Sequence, residues 1–180
     1  MQYDFYDRLK ALWDEAVRRY KSGNEDPNRL FSEGELHFIA QMGATAREVF
    51  DFIEDHVKYG EPDFNIFASL ADIRYHYFLR RQKGRRSPYL LVNESLPAKT
   101  DAVHGIEWLP RLIPKALAKL RGELNPDIMY GCGGDRAFFK KWDVHPAEFL
   151  RIVEEYEQDP DAVVQWFLRR TGRKSAEAQA

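Results

Sequence analysis

The sequence predicts a mainly α protein: a compact helical chain of about seven helices in two halves, with at most a short strand in the linker between them. Three observations lead there. Apolar residues recur at the 100° helical period through most of the chain. The periodic segments are bracketed by capping residues, prolines and glycines. Only Tyr89-Leu90-Leu91-Val92 has the look of a strand.

From Tyr3 to Tyr20 the residues Phe5, Leu9, Leu12, Trp13, Ala16, Val17 and Tyr20 fall on one arc, with Asp7, Asp14, Glu15, Arg18 and Arg19 outside it. This is an amphipathic helix, ended by Gly23. Ser32 with Glu35 and Thr45 with Glu48 have the capping-box spacing, in which each side chain satisfies a free amide of the other's turn. They predict helices over Glu33 to Met42 and Ala46 to Tyr59, closed by Gly43 and Gly60. Asp63 caps a longer helix, Phe64 to Gln82, that stops at Gly84. Between Arg85 and Gly105 the period is lost and Pro88 and Pro97 interrupt. Helical spacing resumes from Trp108 to Arg121, where Pro114 must kink the helix or delay its start. Asp135 can cap Arg136 to Trp142, and Pro146 and Pro160 suit the first positions of two closing helices, Pro146 to Tyr156 and Pro160 to Arg170. Residues 1–84 therefore read as an N-terminal half, 85–105 as a linker, 106–172 as a C-terminal half and 173–180 as a frayed tail.

With 180 residues, 44% of them hydrophobic, the chain can bury a real core. A net charge of -2 gives no global field for nucleic acid or an anionic membrane, so partners have to be argued locally. The single cysteine excludes an internal disulfide framework. No apolar run approaches the length of a membrane span, and no basic start precedes one as in a signal peptide. Cytoplasmic residence without a membrane partner is the expectation.

A few polar residues stand where periodicity expects something else. The heptapeptide Tyr130-Gly131-Cys132-Gly133-Gly134-Asp135-Arg136 sets the only cysteine among three glycines just before a helix start. Glycines there let the backbone approach a ligand or another backbone closely. The helix start and Arg136 favour a thiolate while Asp135 opposes it. The pattern is neither Gly-x-Gly-x-x-Gly nor a Walker loop, and Asp135 would compete with phosphate for the helix amides, so no nucleotide is expected. In the helix from Phe64, Arg74 falls inside a broad apolar arc, where a guanidinium must snorkel, pair with an acid or hold an anion. In the preceding helix His56 lies among Val49, Phe52, Ile53 and Val57, as a satisfied core histidine or a general base. Asp51 and Asp55 project to the opposite face, so no metal site is expected, and Asp72 with His76 reads as a solvated helix pair. The run Arg80, Arg81, Lys83, Arg85 and Arg86 reads as solvated cations at a helix C-terminus, and nucleic acid is not an expected partner.

The leading expectation is a pocket between the halves for a small anionic molecule, held by Arg74 with Tyr130 and Arg136. His56, Cys132 and Asp135 would supply acid/base chemistry of a lyase or isomerase kind, with no cofactor. The alternative is a non-catalytic module that docks a partner protein or a second copy of the chain, for which 14% aromatic residues supply anchors.

One resemblance bears on the second half. Leu109-Pro110-Arg111, Lys115-Ala116 with Lys119, Gly122, then Tyr130, Cys132 and Asp135, and Phe149 in the following helix give the stretch from Gly105 to Phe167 a pattern that resembles the bacterial domain-of-unknown-function 5069 family. The resemblance implies a small, mainly helical module of bacterial origin. It implies no activity and no catalytic residue.

Overall fold

A computed structural model describes residues 1–172; the tail expectation for 173–180 lies outside the described residues. Eight α-helices occur among them: α1 (Phe5–Lys21), α2 (Glu33–Gln41), α3 (Ala46–Tyr59), α4 (Phe64–Arg80), α5 (Leu109–Arg121), α6 (Gly133–Trp142), α7 (Pro146–Glu155) and α8 (Pro160–Arg170). That agrees with the expected mainly α chain of about seven helices, the segment before Trp142 included. Two compact units divide the chain, Met1–Pro88 with α1 to α4 and a second that begins at Tyr89 with α5 to α8.

In the first unit α1 packs against α3 and α4, and α2 against α3. Phe5, Leu9, Leu12, Trp13, Ala16 and Tyr20 bury the arc of α1, and the Trp13 ring lies 4.9 Å from that of Phe67. Each such large apolar side chain contributes about 1.5–3 kcal/mol by leaving water. Both capping boxes form. The Thr45 amide donates to Glu48 Oε2 at 2.9 Å and the Glu48 amide to Thr45 Oγ1 at 3.2 Å, with the same exchange between Ser32 and Glu35. Gly60 ends α3 in the left-handed region at φ 77°, and Asp63 Oδ1 accepts the Ile66 amide at 2.9 Å to start α4.

In the second unit α5 packs against α7, α8 and a hairpin strand, and α7 against α8. Its core is aromatic: Phe138 stacks on Phe167 at 5.3 Å and Phe139 meets Phe149 at 5.7 Å. The strand expected at Tyr89–Val92 does not form. That segment has no ladder; its Leu91 N–H donates to the Glu123 carbonyl and its Val92 carbonyl accepts the Ser95 N–H. The strand pair is β1 (Ala102–Val103) with β2 (Ile106–Glu107), antiparallel, with Val103 opposite Ile106. His104 and Gly105 join them at φ 50° and 72°, which is what a two-residue hairpin loop of matching twist requires. A histidine at the first position concealed a turn that Asn-Gly would have announced. Pro114 does not delay α5, which starts at Leu109 and runs through it.

Candidate functional site

Tyr130 to Arg136 crosses from a loop into α6, and the helix begins earlier than the sequence suggested. Cys132 is its N-cap and Gly133 its first residue, so Asp135 lies inside the first turn. Asp135 is not the cap, because its carboxylate is drawn elsewhere. Its Oδ1 accepts Trp108 Nε1–H at 2.9 Å, and its Oδ2 accepts Lys115 Nζ at 2.6 Å and the Gly131 amide at 2.9 Å. Asp135 is fully buried, and Lys115 only 3% exposed. Two desolvated charges are tolerable only when their remaining hydrogen-bonding capacity is met, and three donors converge on this carboxylate.

Lys115 reaches further. Its ammonium also donates to Cys132 Sγ at 3.5 Å. Asp135 and Lys115 lie inside while Cys132 is half-buried, so the cluster runs from the interior to a residue in partial contact with solvent. Beside it Gly133 is exposed and no side chain caps the start of α6. Gly134 admits the Trp108 indole so closely that a Cβ there would stand 2.5 Å from the ring. Trp108 itself holds φ 72° at the start of α5, a costly conformation for a bulky residue that packing must enforce.

Arg136 and Tyr130 brace this loop. Arg136 Nη1 donates to the Gly131 carbonyl at 2.8 Å. Tyr130, 1% exposed, donates its hydroxyl to the Pro146 carbonyl at 2.8 Å. Burial, with the Asp135 charge adding to it, holds that phenol well above its ordinary ionisation range, so Tyr130 stays neutral.

Two of the six residues singled out in the sequence belong to the first unit and have their own partners there. Arg74 is 1% exposed; Nη1 donates to Gln82 Oε1 and Nη2 to the Gly43 carbonyl, both at 2.8 Å, and the guanidinium lies 5.2 Å from the Phe78 ring centroid. His56 is half-buried, with Nδ1 3.0 Å from the Pro62 carbonyl and its ring 5.1 Å from that of Trp13. The other four, Tyr130, Cys132, Asp135 and Arg136, come together with Lys115 and Trp108. No group of three or more His, Cys, Asp or Glu able to hold a metal occurs among the described residues. Asp72 and His76 form a pair at 3.6 Å on α4.

The comparisons with known proteins meet this geometry in its own half. Residues 94–180 match the family described as a domain of unknown function, DUF5069. The matched segment contains the whole cluster, from Trp108 through Lys115 to Arg136, and no activity comes with it. Nothing among curated proteins or solved structures matches the chain.

Lys115 and Trp108 were not expected in the site. A signal existed: they stand seven residues apart, two helical turns, on the flank of the apolar arc of α5, with Lys119 one turn further and also buried. A lysine repeated at i, i+4 along the edge of a buried face is easily taken for snorkelling.

Proposed function

We propose that the protein binds a small anionic molecule at the start of α6 and performs acid/base chemistry on it through the Cys132 sulfur, with Lys115 as the cation that compensates charge on that sulfur. The observation that carries this reading is the buried Lys115 ammonium reaching both the buried Asp135 and the half-buried Cys132. A proton leaving the thiol is compensated at once by an ammonium 3.5 Å away, in surroundings drier than water. The uncapped amides at Gly133 and Gly134 offer a negative group a place beside the sulfur. Asp135, which as a free carboxylate would have competed for them, is turned to Lys115, Trp108 and the Gly131 amide.

Within this reading the roles differ from those expected. Asp135 is a positioning residue that holds Lys115 and the loop. Tyr130 and Arg136 shape the loop and do not meet the ligand with the atoms that bind Pro146 and Gly131. Arg74 and His56 are not needed, since their polar atoms serve Gly43, Gln82 and Pro62 inside the first unit. A proton-transfer reaction of the lyase or isomerase class on a carboxylate or phosphate ester fits a thiol and an ammonium acting together.

The test is protection of Cys132 from alkylation. The intact chain is treated with iodoacetamide in the presence of a panel of small carboxylates and phosphate esters, with modification at the single cysteine read by mass spectrometry. A member that slows labelling of Cys132, and whose binding to the Cys132→Ser protein is weakened in calorimetry, is the expected result. If every small anion leaves the labelling rate unchanged, the proposal fails.

A further inference from the structure

Lys115 on α5 and Cys132 at the N-cap of α6 are 17 positions apart in the chain, and the fold sets Nζ 3.5 Å from Sγ. The sequence holds a single cysteine, so a sulfenic acid formed on it has no second thiol of the same chain with which to condense. What it has instead is an amine. Lys115 is buried and tied to Asp135 Oδ2 at 2.6 Å, so its nitrogen stays beside the sulfur, where a surface lysine would range through water. Arg136 cannot take this part, because a guanidinium keeps its charge and its Nη1 donates to the Gly131 carbonyl. Cys132 is half-buried and borders the exposed Gly133, which opens it to a small oxidant and disfavours a bulky one.

We propose that Lys115 and Cys132 form a redox switch: hydrogen peroxide oxidises the sulfur, and the lysine nitrogen then closes a covalent bond to it. In the first step the Cys132 thiolate attacks one peroxide oxygen. The S–O bond forms, the O–O bond breaks and hydroxide leaves; the sulfur loses two electrons to become the sulfenic acid, and the peroxide is reduced. In the second step Lys115 passes one proton to Asp135 Oδ2, and its amine attacks the sulfur. The S–N bond forms, the S–O bond breaks, and the departing hydroxide takes a second proton from nitrogen and leaves as water. No further oxidant is consumed.

Closure replaces a buried ion pair by a neutral acid and a neutral sulfenamide, a change that dry surroundings favour. The Trp108 indole N–H and the Gly131 amide remain to hold Asp135. A thiol reductant reverses the link: its sulfur attacks Cys132 Sγ, the S–N bond breaks, and the nitrogen regains its protons from Asp135 and water. A second thiolate then frees Cys132 from the mixed disulfide. The switch rests on the same Lys115–Cys132 contact as the proposed function, and regulates it, but needs no ligand to form. Once linked, the sulfur has no proton to exchange and Lys115 has no charge to offer, so both groups assigned to proton transfer are withdrawn together.

Peptide mapping of the intact chain after treatment with hydrogen peroxide, with no small anion present, tests this. A non-reducing tryptic digest should contain the Lys115 segment joined to the Cys132 segment, uncut after Lys115 and lighter than the sum of its parts by two hydrogen atoms. Dithiothreitol should abolish the joined species. Dimedone, which traps sulfenic acids, should capture Cys132 several-fold more in Lys115→Arg, which keeps a cation beside Asp135 but lacks the amine. The digest of the native chain decides the matter by itself if that variant does not fold. The proposal is overturned if Cys132 goes on to the sulfinic acid with Lys115 unlinked, or if the loss of two hydrogens maps to Cys132 and the Gly133 backbone nitrogen. It is equally overturned if oxidation yields only a disulfide between two chains. Protection of the reduced Cys132 from iodoacetamide by small anions is read without peroxide, so either result can fail while the other holds.

Discussion

Gly133 and Gly134 are adjacent and identical in type, yet only one of them has no room for a side chain. A Cβ on Gly134 would stand 2.5 Å from the Trp108 ring, whereas at Gly133 the nearest atom is Arg136 Nη2 at 3.8 Å, ordinary contact. The ring cannot retreat cheaply, because its Nε1–H is committed to Asp135. Gly134→Ala should therefore cost roughly 1–3 kcal/mol by overpacking and disturb the Trp108 fluorescence. Gly133→Ala should be neutral or slightly stabilising, since alanine is the better helix former. Urea unfolding of the two variants side by side checks this, and equal effects would mean that the close approach of Trp108 does not govern the loop. Three glycines in the heptapeptide were visible as a sign of close packing. Which of them is essential depends on a tryptophan far away in sequence.

Helix α3 concentrates acids on its outer side, and one of them is uncomfortable. Asp51 is pushed up to about 6, chiefly by burial; the Arg47 guanidinium, 2.8 Å away, opposes this, and the charges of Glu54, Asp55 and Glu48 add to it. The folded state thus holds this proton more tightly than the unfolded chain, whose aspartate titrates near the ordinary value of about 3.9. Stability from this group is complete below about pH 4 and lost as pH rises through about 6. Asp51→Asn should raise stability at pH 7 to 8 by about 1 kcal/mol, the full shift being discounted for solvent screening and for the lost Arg47 pair. The gain should vanish by pH 4. Thermal melts across that range read the crossover, and a pH-independent difference would show that Asp51 titrates normally. The bounds of α3 were legible because Thr45, Glu48 and Gly60 act within a turn of themselves. The burial of Asp51 was not, since helical spacing placed it on the face turned away from the core.

At the scale of the molecule, each unit buries its own core. In the first, Phe5, Trp13, Phe52, Phe67 and Tyr75 are all under one-tenth exposed, contributed by three helices that return to one another through short connections. Residues 1–88 expressed alone should therefore remain helical and melt cooperatively, as circular dichroism and calorimetry can read; a broad, non-cooperative melt would show that this core is insufficient by itself. The helical class and the ends of α2, α3, α4, α7 and α8 followed from sequence because caps, glycine stops and amphipathic period are interactions between residues within about four positions of each other. The hairpin at Ala102–Glu107 and the early start of α6 did not, since their turn chemistry departs from the common signatures. The match of residues 94–180 to DUF5069 was likewise legible in short motifs, while the joining of Trp108 and Lys115 to Asp135 and Cys132 spans a helix, a loop and the start of the next helix. Local order was written in neighbouring residues. The site was decided only when folding removed water from Lys115 and Asp135, because a buried charge must find its partner wherever in the chain that partner lies.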